Sequence, residues 1–157
     1  MHLCTRAEAE RVLSRRRDEA HDAPWMTGYP LDGDARACLA YISQLSIAAG
    51  PAGSSPFGYY QMLEDGVVVG GIGFHGPPQA NVVEVGYGVA PDARGRGVAT
   101  QALVSLLDVA AGLEGVQRVI GRTEETNVAS QRVMLAAGMR FVRRDPEFLH
   151  YQIDLHP

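Results

Sequence analysis

Three groups of residues in this 157-residue chain have types and spacings that could do chemistry. The first is Arg94-Gly95-Arg96-Gly97-Val98-Ala99, two arginines interleaved with two glycines where a helical periodicity begins. Free N–H groups in such a turn, reinforced by the positive end of a helix dipole, form an anion site. Glycines let the backbone approach a phosphate without a Cβ in the way, and Arg94 and Arg96 add charge. A plain strand-to-helix turn would need the glycines for geometry alone, so the arginines tip the reading toward phosphate. The second is Glu84, a carboxylate inside Val82-Val83-Glu84-Val85-Gly86-Tyr87-Gly88-Val89. Side chains alternate along a strand, which puts Glu84 opposite Val83, Val85, Tyr87 and Val89. A carboxylate in that setting is either a general base or the partner of an arginine. The third is the Ser130 hydroxyl, with His75 and His150 as alternative bases. One motif is rejected: Gly71-Ile72-Gly73-Phe74-His75-Gly76 matches a dinucleotide fingerprint by letter, but Pro77-Pro78 follows where a phosphate-holding helix should start. Those glycines mark close approach between strands.

These residues need elements to position them. Thr5 and Glu8 form a capping box, which predicts a helix over 6–20 carrying Arg15-Arg16-Arg17 near its end. Residues 21–33, with Pro24, Gly28, Pro30 and Gly33, read as loop. Asp32 or Asp34 can cap a second helix running to residue 48, with Leu39, Ile42, Leu45 and Ala49 at helical spacing. Residues 50–56 read as a flexible linker. Asp65-Gly66 predicts a type I′ turn between strands 57–64 and 67–74. A third strand spans 82–89 and a loop 91–97. Leu103, Leu106, Leu107 and Ala110 predict a helix over 98–111. A strand at 116–121, a helix at 127–137 ended by Gly138, and strands at 139–143 and 148–155 complete a mixed α/β order.

Composition narrows the chemistry. All basic residues are Arg, which removes a P-loop lysine and a Schiff-base lysine. A net charge of −4 without a basic stripe argues against nucleic acid. Cys4 and Cys38, far apart and outside any CxxC, read as two reduced thiols, and the histidines show no metal-ligand spacing. The start of the chain lacks the apolar core of a signal peptide, and no apolar run is long enough to span a membrane. One soluble, cytoplasmic domain over 1–157, with no metal, nucleic acid or membrane partner, is the expectation.

The motifs resemble those of one family. Arg94-x-x-Gly97-x-Ala99 resembles the acyl-CoA pyrophosphate motif of the GNAT superfamily of N-acetyltransferases. Glu84-Val85-Gly86-Tyr87 is similar to the Glu-Ile-Gly-Tyr strand of the branch containing the ribosomal-protein N-terminal (alanine) acetyltransferases. Asn127-x-x-Ser130-x-Arg132-Val133-Met134-x-x-x-Gly138-Met139 resembles that branch's Asn-x-x-Ser-x-Arg-Val-Leu-x-x-x-Gly-Phe helix. The resemblance covers most of the chain and is weakest before residue 57. It implies a mixed α/β (α+β) fold: a mostly antiparallel central sheet, about four helices, and a splayed strand pair forming an acyl-CoA wedge, with the opening strand reduced to about residues 2–4. Pantetheine would pair with backbone at Tyr87, Gly88 and Val89, and pyrophosphate would sit on Arg94, Gly95, Arg96, Gly97, Val98 and Ala99. Asn127 would hydrogen-bond the pantetheine arm while capping its own helix. Many members carry a tyrosine acid where this chain has Met134, so Ser130 becomes the expected proton donor and Glu84 the expected base, its pKa raised by burial. Acetyl-CoA is the implied co-substrate. The acceptor would be a primary amine on a small molecule or a peptide N-terminus, met by loops 21–33 (Trp25, Met26, Tyr29) and 76–81. The protein would be a monomer or homodimer. The alternative is a non-catalytic acyl-CoA-binding sensor or regulatory module.

Overall fold

A computed structural model describes residues 1–47 and 55–155. The first helix, α1 (Arg6–Ser14), carries the expected capping box: the Thr5 hydroxyl accepts from the Glu8 N–H and the Glu8 carboxylate accepts from the Thr5 N–H. Such a cap contributes about 1 kcal/mol. The helix ends well before residue 20. Arg15 turns left-handed at φ 55° and the Arg16 N–H closes on the Arg11 carbonyl. Arg11 then holds Asp22, and Asp22 accepts from the Asp18 N–H, so the chain doubles back instead of continuing. Arg15-Arg16-Arg17 therefore lies beyond the helix. In α2 (Asp32–Ile47), neither Asp32 nor Asp34 is the cap residue; Asp34 reaches back from inside the first turn to the Leu31 N–H at 2.7 Å. Most of the linker expected over 50–56 lies outside the described residues.

Seven strands form one sheet in the order β1-β2-β3-β4-β5-β7-β6. They are β1 (His2–Leu3), β2 (Tyr59–Glu64), β3 (Val67–Phe74), β4 (Val82–Val89), β5 (Arg118–Thr123), β6 (Arg140–Arg144) and β7 (Leu149–Asp154). Every pairing is antiparallel except β4 with β5. At the β2–β3 turn, Asp65 and Gly66 both have positive φ, as a type I′ turn requires. The strand expected at 116–121 begins two residues later, because the N–H of Val116 closes a turn on Leu113 and that of Gln117 bonds Asn81. Two cores cover the two faces. On one, α3 (Val98–Ala111) buries Leu103, Leu106, Leu107 and Ala110, and α4 (Val128–Ala136) buries Met134, against Val83, Val85 and Val119. On the other, Ala9 and Val12 of α1 and Cys38 and Tyr41 of α2 pack on Tyr59 and Val68. Cys4 and Cys38 are free and buried. No helix among the described residues is long and apolar enough to cross a membrane.

Candidate active site

The site begins where β4 and β5 part. Their ladder runs only from Val82–Val85 on β4 against Arg118–Gly121 on β5. Yet β4 continues to Val89, held on its other edge by Gly70 and Gly71 of β3. Residues 86–89 thus turn one edge of extended backbone toward an opening, which holds the expected Tyr87, Gly88 and Val89. Beyond β4, a 3₁₀ turn (Pro91–Ala93) leads to the glycine turn. Gly95 and Gly97 sit at φ 75° and 79°, and a Cβ on either would meet no atom within 4 Å. These glycines are therefore required by backbone conformation and not by crowding. Gly97 is the N-cap of α3 and offers no side chain, so the first N–H groups of a long helix, including those of Val98 and Ala99, start without a side-chain cap. Arg94 is exposed and its Nε donates to the Val89 carbonyl at 3.0 Å, tying the turn to the end of β4. Arg96 points elsewhere: it pairs with Glu64 at 3.0 Å and donates to the Asp92 carbonyl, so its charge is already shared.

Across the opening stands α4. Its N-cap Asn127 accepts from the Ser130 N–H at 3.1 Å. The Tyr87 phenol spans from β4 to α4, lying 2.9 Å from the Ser130 hydroxyl and 3.1 Å from the Ser130 carbonyl, to which it donates. Burial pushes the phenol pKa up. Sequence reasoning named both residues without joining them, since their separation of 43 positions hides the contact. Met134 is 2% exposed and packs over Gly121, so it is a core residue.

Glu84 lies on the other face of β4, with Gly86 and Gly88. Arg122 donates to it at 2.7 Å and His75 lies 3.4 Å away. Burial pushes the carboxyl pKa up, but hydrogen bonds from His75 and Arg122 outweigh it, and the net position is below the usual carboxylate range. This corrects the expectation that burial would raise it. His150, the other candidate base, sits on β7 with Nε2 2.5 Å from Asp145 and belongs to a surface cluster with Arg143. In the loop over 21–33, which the sequence leaves open as either an acceptor pocket or an anchor to the core, Trp25 and Tyr29 meet edge to face at 5.3 Å and Tyr29 is buried, so these aromatics anchor the loop to the second core.

Above Gly86 and Gly88, between α2 and the sheet, lies a cavity of about 470 Å³ that reaches His75, Tyr87 and Asp34. Asp34 was legible in the sequence only as a helix-cap candidate. Here it is buried under α2, accepting from the Leu31 N–H and, at 2.9 Å, from the Tyr59 hydroxyl. Tyr29 and Gln61 extend the network. The signal that could have found this cavity is the pattern Gly71, Gly73, Gly86, Gly88, which strips one face of two neighbouring strands.

The comparisons with known proteins agree with this geometry. Residues 2–140 match the family model described as an acetyltransferase (GNAT) domain. The uncharacterised N-acetyltransferase YjdG of Bacillus subtilis strain 168 is 31% identical over 85 residues, 54% of this chain and 51% of that protein, so the match spans about half the length of the curated relative. YncA of Salmonella typhimurium, whose structure holds its cofactor acetyl-CoA, superposes with a TM-score of 0.63 at 20% identity over 99% of this chain and 93% of that one. The ribosomal-protein-S5-alanine acetyltransferase of Vibrio fischeri gives 0.65 at 14% identity over 98% and 91%. At those identities the two structures speak for the fold alone, and neither selects a branch. With an open β4–β5 ladder, a glycine-capped α3 and a family match over most of its length, the chain belongs to the GNAT acetyltransferase family.

Proposed function

We propose that the chain is an acetyl-CoA-dependent N-acetyltransferase acting on a primary amine. One observation carries this: the β4 edge that parts from β5 leads toward the uncapped N-terminus of α3, and its Gly86, Tyr87 and Gly88 also line the partly open cavity under α2. Pantetheine would pair with backbone at Tyr87, Gly88 and Val89, beside the Val89 carbonyl that already accepts from Arg94, and its pyrophosphate would meet the N–H groups of residues 95–99 with Arg94 beside them. Asn127, already a cap, would face the same arm. The amine arrives as an ammonium and must lose a proton before it attacks the thioester carbon. Glu84 is the proposed acceptor of that proton, directly or through water, and its pairing with Arg122 makes it a weak base. The nitrogen lone pair forms the C–N bond, backbone N–H groups near Val89 stabilise the oxyanion, and collapse breaks the C–S bond. The thiolate takes a proton from Ser130, which the Tyr87 phenol holds in place, and the second proton that the nitrogen sheds restores the Ser130 hydroxyl. Amide and free CoA thiol leave, and the excess proton goes to solvent.

A second reading, an acyl-CoA-binding module without turnover, draws on Met134 and on the engagement of Glu84 by Arg122 and His75. Free-thiol release from acetyl-CoA, measured across peptide N-termini, amino sugars, amino acids and aliphatic amines, separates the two. Amine-dependent release supports the transferase. Tight acetyl-CoA binding with release no faster than hydrolysis for every amine supports the module.

A further inference from the structure

The cavity under α2 is lined by a carboxylate, Asp34, that has no ion-pair partner among the described residues. Its floor carries few side chains: Gly71 pairs with Gly88 and Gly73 with Gly86, and all four line the cavity, with the Tyr59 hydroxyl over Gly71, His75 over Gly86 and Leu31 over Gly88. Its roof is nearly bare as well, since α2 presents Gly33, Ala37 and Ala40 there. A helix on a sheet ordinarily interdigitates its side chains at crystal-like density. Here both surfaces carry few, and space remains. Asp34 is the one acidic side chain lining that space and is only 4% exposed. A Cβ on Gly71 would strike its Oδ1, so the carboxylate rests directly on the glycine floor.

Two neutral donors, the Leu31 N–H and the Tyr59 hydroxyl, each take one Asp34 oxygen. A carboxylate keeps further lone pairs beyond these. Among the described residues no Arg or His lies within ion-pair distance of it. Arg15, the cation whose field it feels, is taken by Asp32 and the Pro30 carbonyl. Arg36 lines the cavity from an exposed position on α2, and His75 on the sheet side faces Glu84. A carboxylate withdrawn from water without a cation is costly, and a ligand that brings the cation removes that cost.

Which nitrogen supplies the charge follows from the reaction. The attacking nitrogen must become neutral, so it is not the cation that stays on Asp34 through turnover. We infer that the cavity seats an acceptor with two cationic nitrogens, an aliphatic diamine or a longer polyamine, one nitrogen held by Asp34 and the other presented at the β4–β5 opening. The assignment of the reacting end rests on the transferase reading; the binding of the charged end does not. Burial raises the Asp34 pKa, and a bound ammonium would lower it again, so binding should expel a proton at mildly acid pH.

Calorimetry with α,ω-diamines of three to six carbons and the matched monoamines tests this without any turnover. The best diamine should bind the wild-type protein at least about tenfold more tightly than its monoamine, a difference of about 1.4 kcal/mol. Asp34→Asn should weaken the diamine by at least about tenfold and weaken the monoamine too, since either can set an ammonium on the carboxylate. Titrations in buffers of different ionisation heat should show proton release with the wild-type protein and none with Asp34→Asn. Ala40→Leu, at a solvent-accessible position of α2 that lines the cavity and is clear of the Asp34 hydrogen bonds, puts a larger side chain into that space and should abolish diamine binding even if Asp34→Asn fails to fold. Equal affinity for diamine and monoamine, diamine affinity unchanged in Asp34→Asn, or diamine binding undisturbed by Ala40→Leu overturns the inference. Acetyl-CoA titrated into the same samples keeps the two readings apart. Diamine binding without acetyl-CoA binding would sink the transferase alone; acetyl-CoA binding without a diamine preference would sink this inference alone.

Discussion

Glu84 and Asp34 face the same side of the sheet, and their surroundings divide the work between them. Glu84 is fixed by Arg122 and His75 and stays ionised across the whole neutral range. Asp34 is buried among neutral donors and is easier to protonate. Glu84→Gln keeps the volume and removes the basicity. It should lower kcat by roughly 10²- to 10⁴-fold, the range for a lost proton-transfer group, with acetyl-CoA affinity intact. The deficit should shrink as pH rises, because more amine then arrives already neutral. Wild-type kcat in this variant, with chemistry shown to limit the rate, would assign Glu84 to structure through Arg122. In a substrate-saturation experiment Asp34→Asn should instead raise the acceptor KM, so the two variants fail in different parameters. Tyr87 and Ser130 complete the set. A thiol with a pKa near 8.5 leaves tolerably as thiolate, so a hydroxyl pair needs only to assist there.

At the scale of elements, the parts with strong periodicity were legible. The strand over 82–89 and the helix over 98–111 are found as expected because one alternates cleanly and the other repeats Leu103, Leu106, Leu107 and Ala110 on one stripe. Ends set by tertiary contacts were not. Nothing in Arg15 announces a left-handed residue, and α1 stops there because Asp22 returns to meet Arg11. The glycine turn was legible at the start of α3, but the positive φ of Gly97 was not, and within the chain it is this φ, not crowding, that calls for glycine. That distinction is testable. A β-branched residue at such a φ costs about 1–3 kcal/mol. In Gly97→Val the turn should rotate to relieve this strain and misalign the first N–H groups of α3. Stability should fall by that amount and acetyl-CoA affinity by about 10- to 100-fold. Gly115 provides the control, with φ 78° and open space, in the turn leading from α3 toward β5. Gly115→Val should lose similar stability and keep its acetyl-CoA affinity. Equal acetyl-CoA losses in both variants would mean that strain anywhere loosens the site, and the turn would lose its special status.

For the whole molecule, the cavity sets a cost that the pH dependence of stability should reveal. Most shifted carboxylates here, Glu8, Asp22 and Glu84 among them, lie below their ordinary pKa because hydrogen bonds and cations outweigh burial. Their contribution is present above the unfolded-state pKa and is lost as pH falls through the folded one. Asp34 runs the other way. Its folded pKa lies above its unfolded value because burial dominates. Below the unfolded pKa it is protonated in both states and costs nothing. As pH rises from about 4, the unfolded chain ionises first, the folded state holds the extra proton, and stability falls until the folded pKa is passed. Asp34→Asn removes this term. Its amide oxygen can still accept one donor, and the Tyr59 hydroxyl can turn to receive the amide N–H and donate to Tyr29 instead. The difference in unfolding free energy between the variant and the wild-type protein should therefore move in the variant's favour as pH rises from 4, then level off. Saturating diamine should reverse the trend in the wild-type protein alone, because a bound cation offsets the burial of the charge. Chemical denaturation of both proteins at closely spaced pH values, with and without 1,4-diaminobutane, measures both effects. A pH-independent difference would mean that Asp34 is already neutralised within the chain and that the cavity is not held open for a cation.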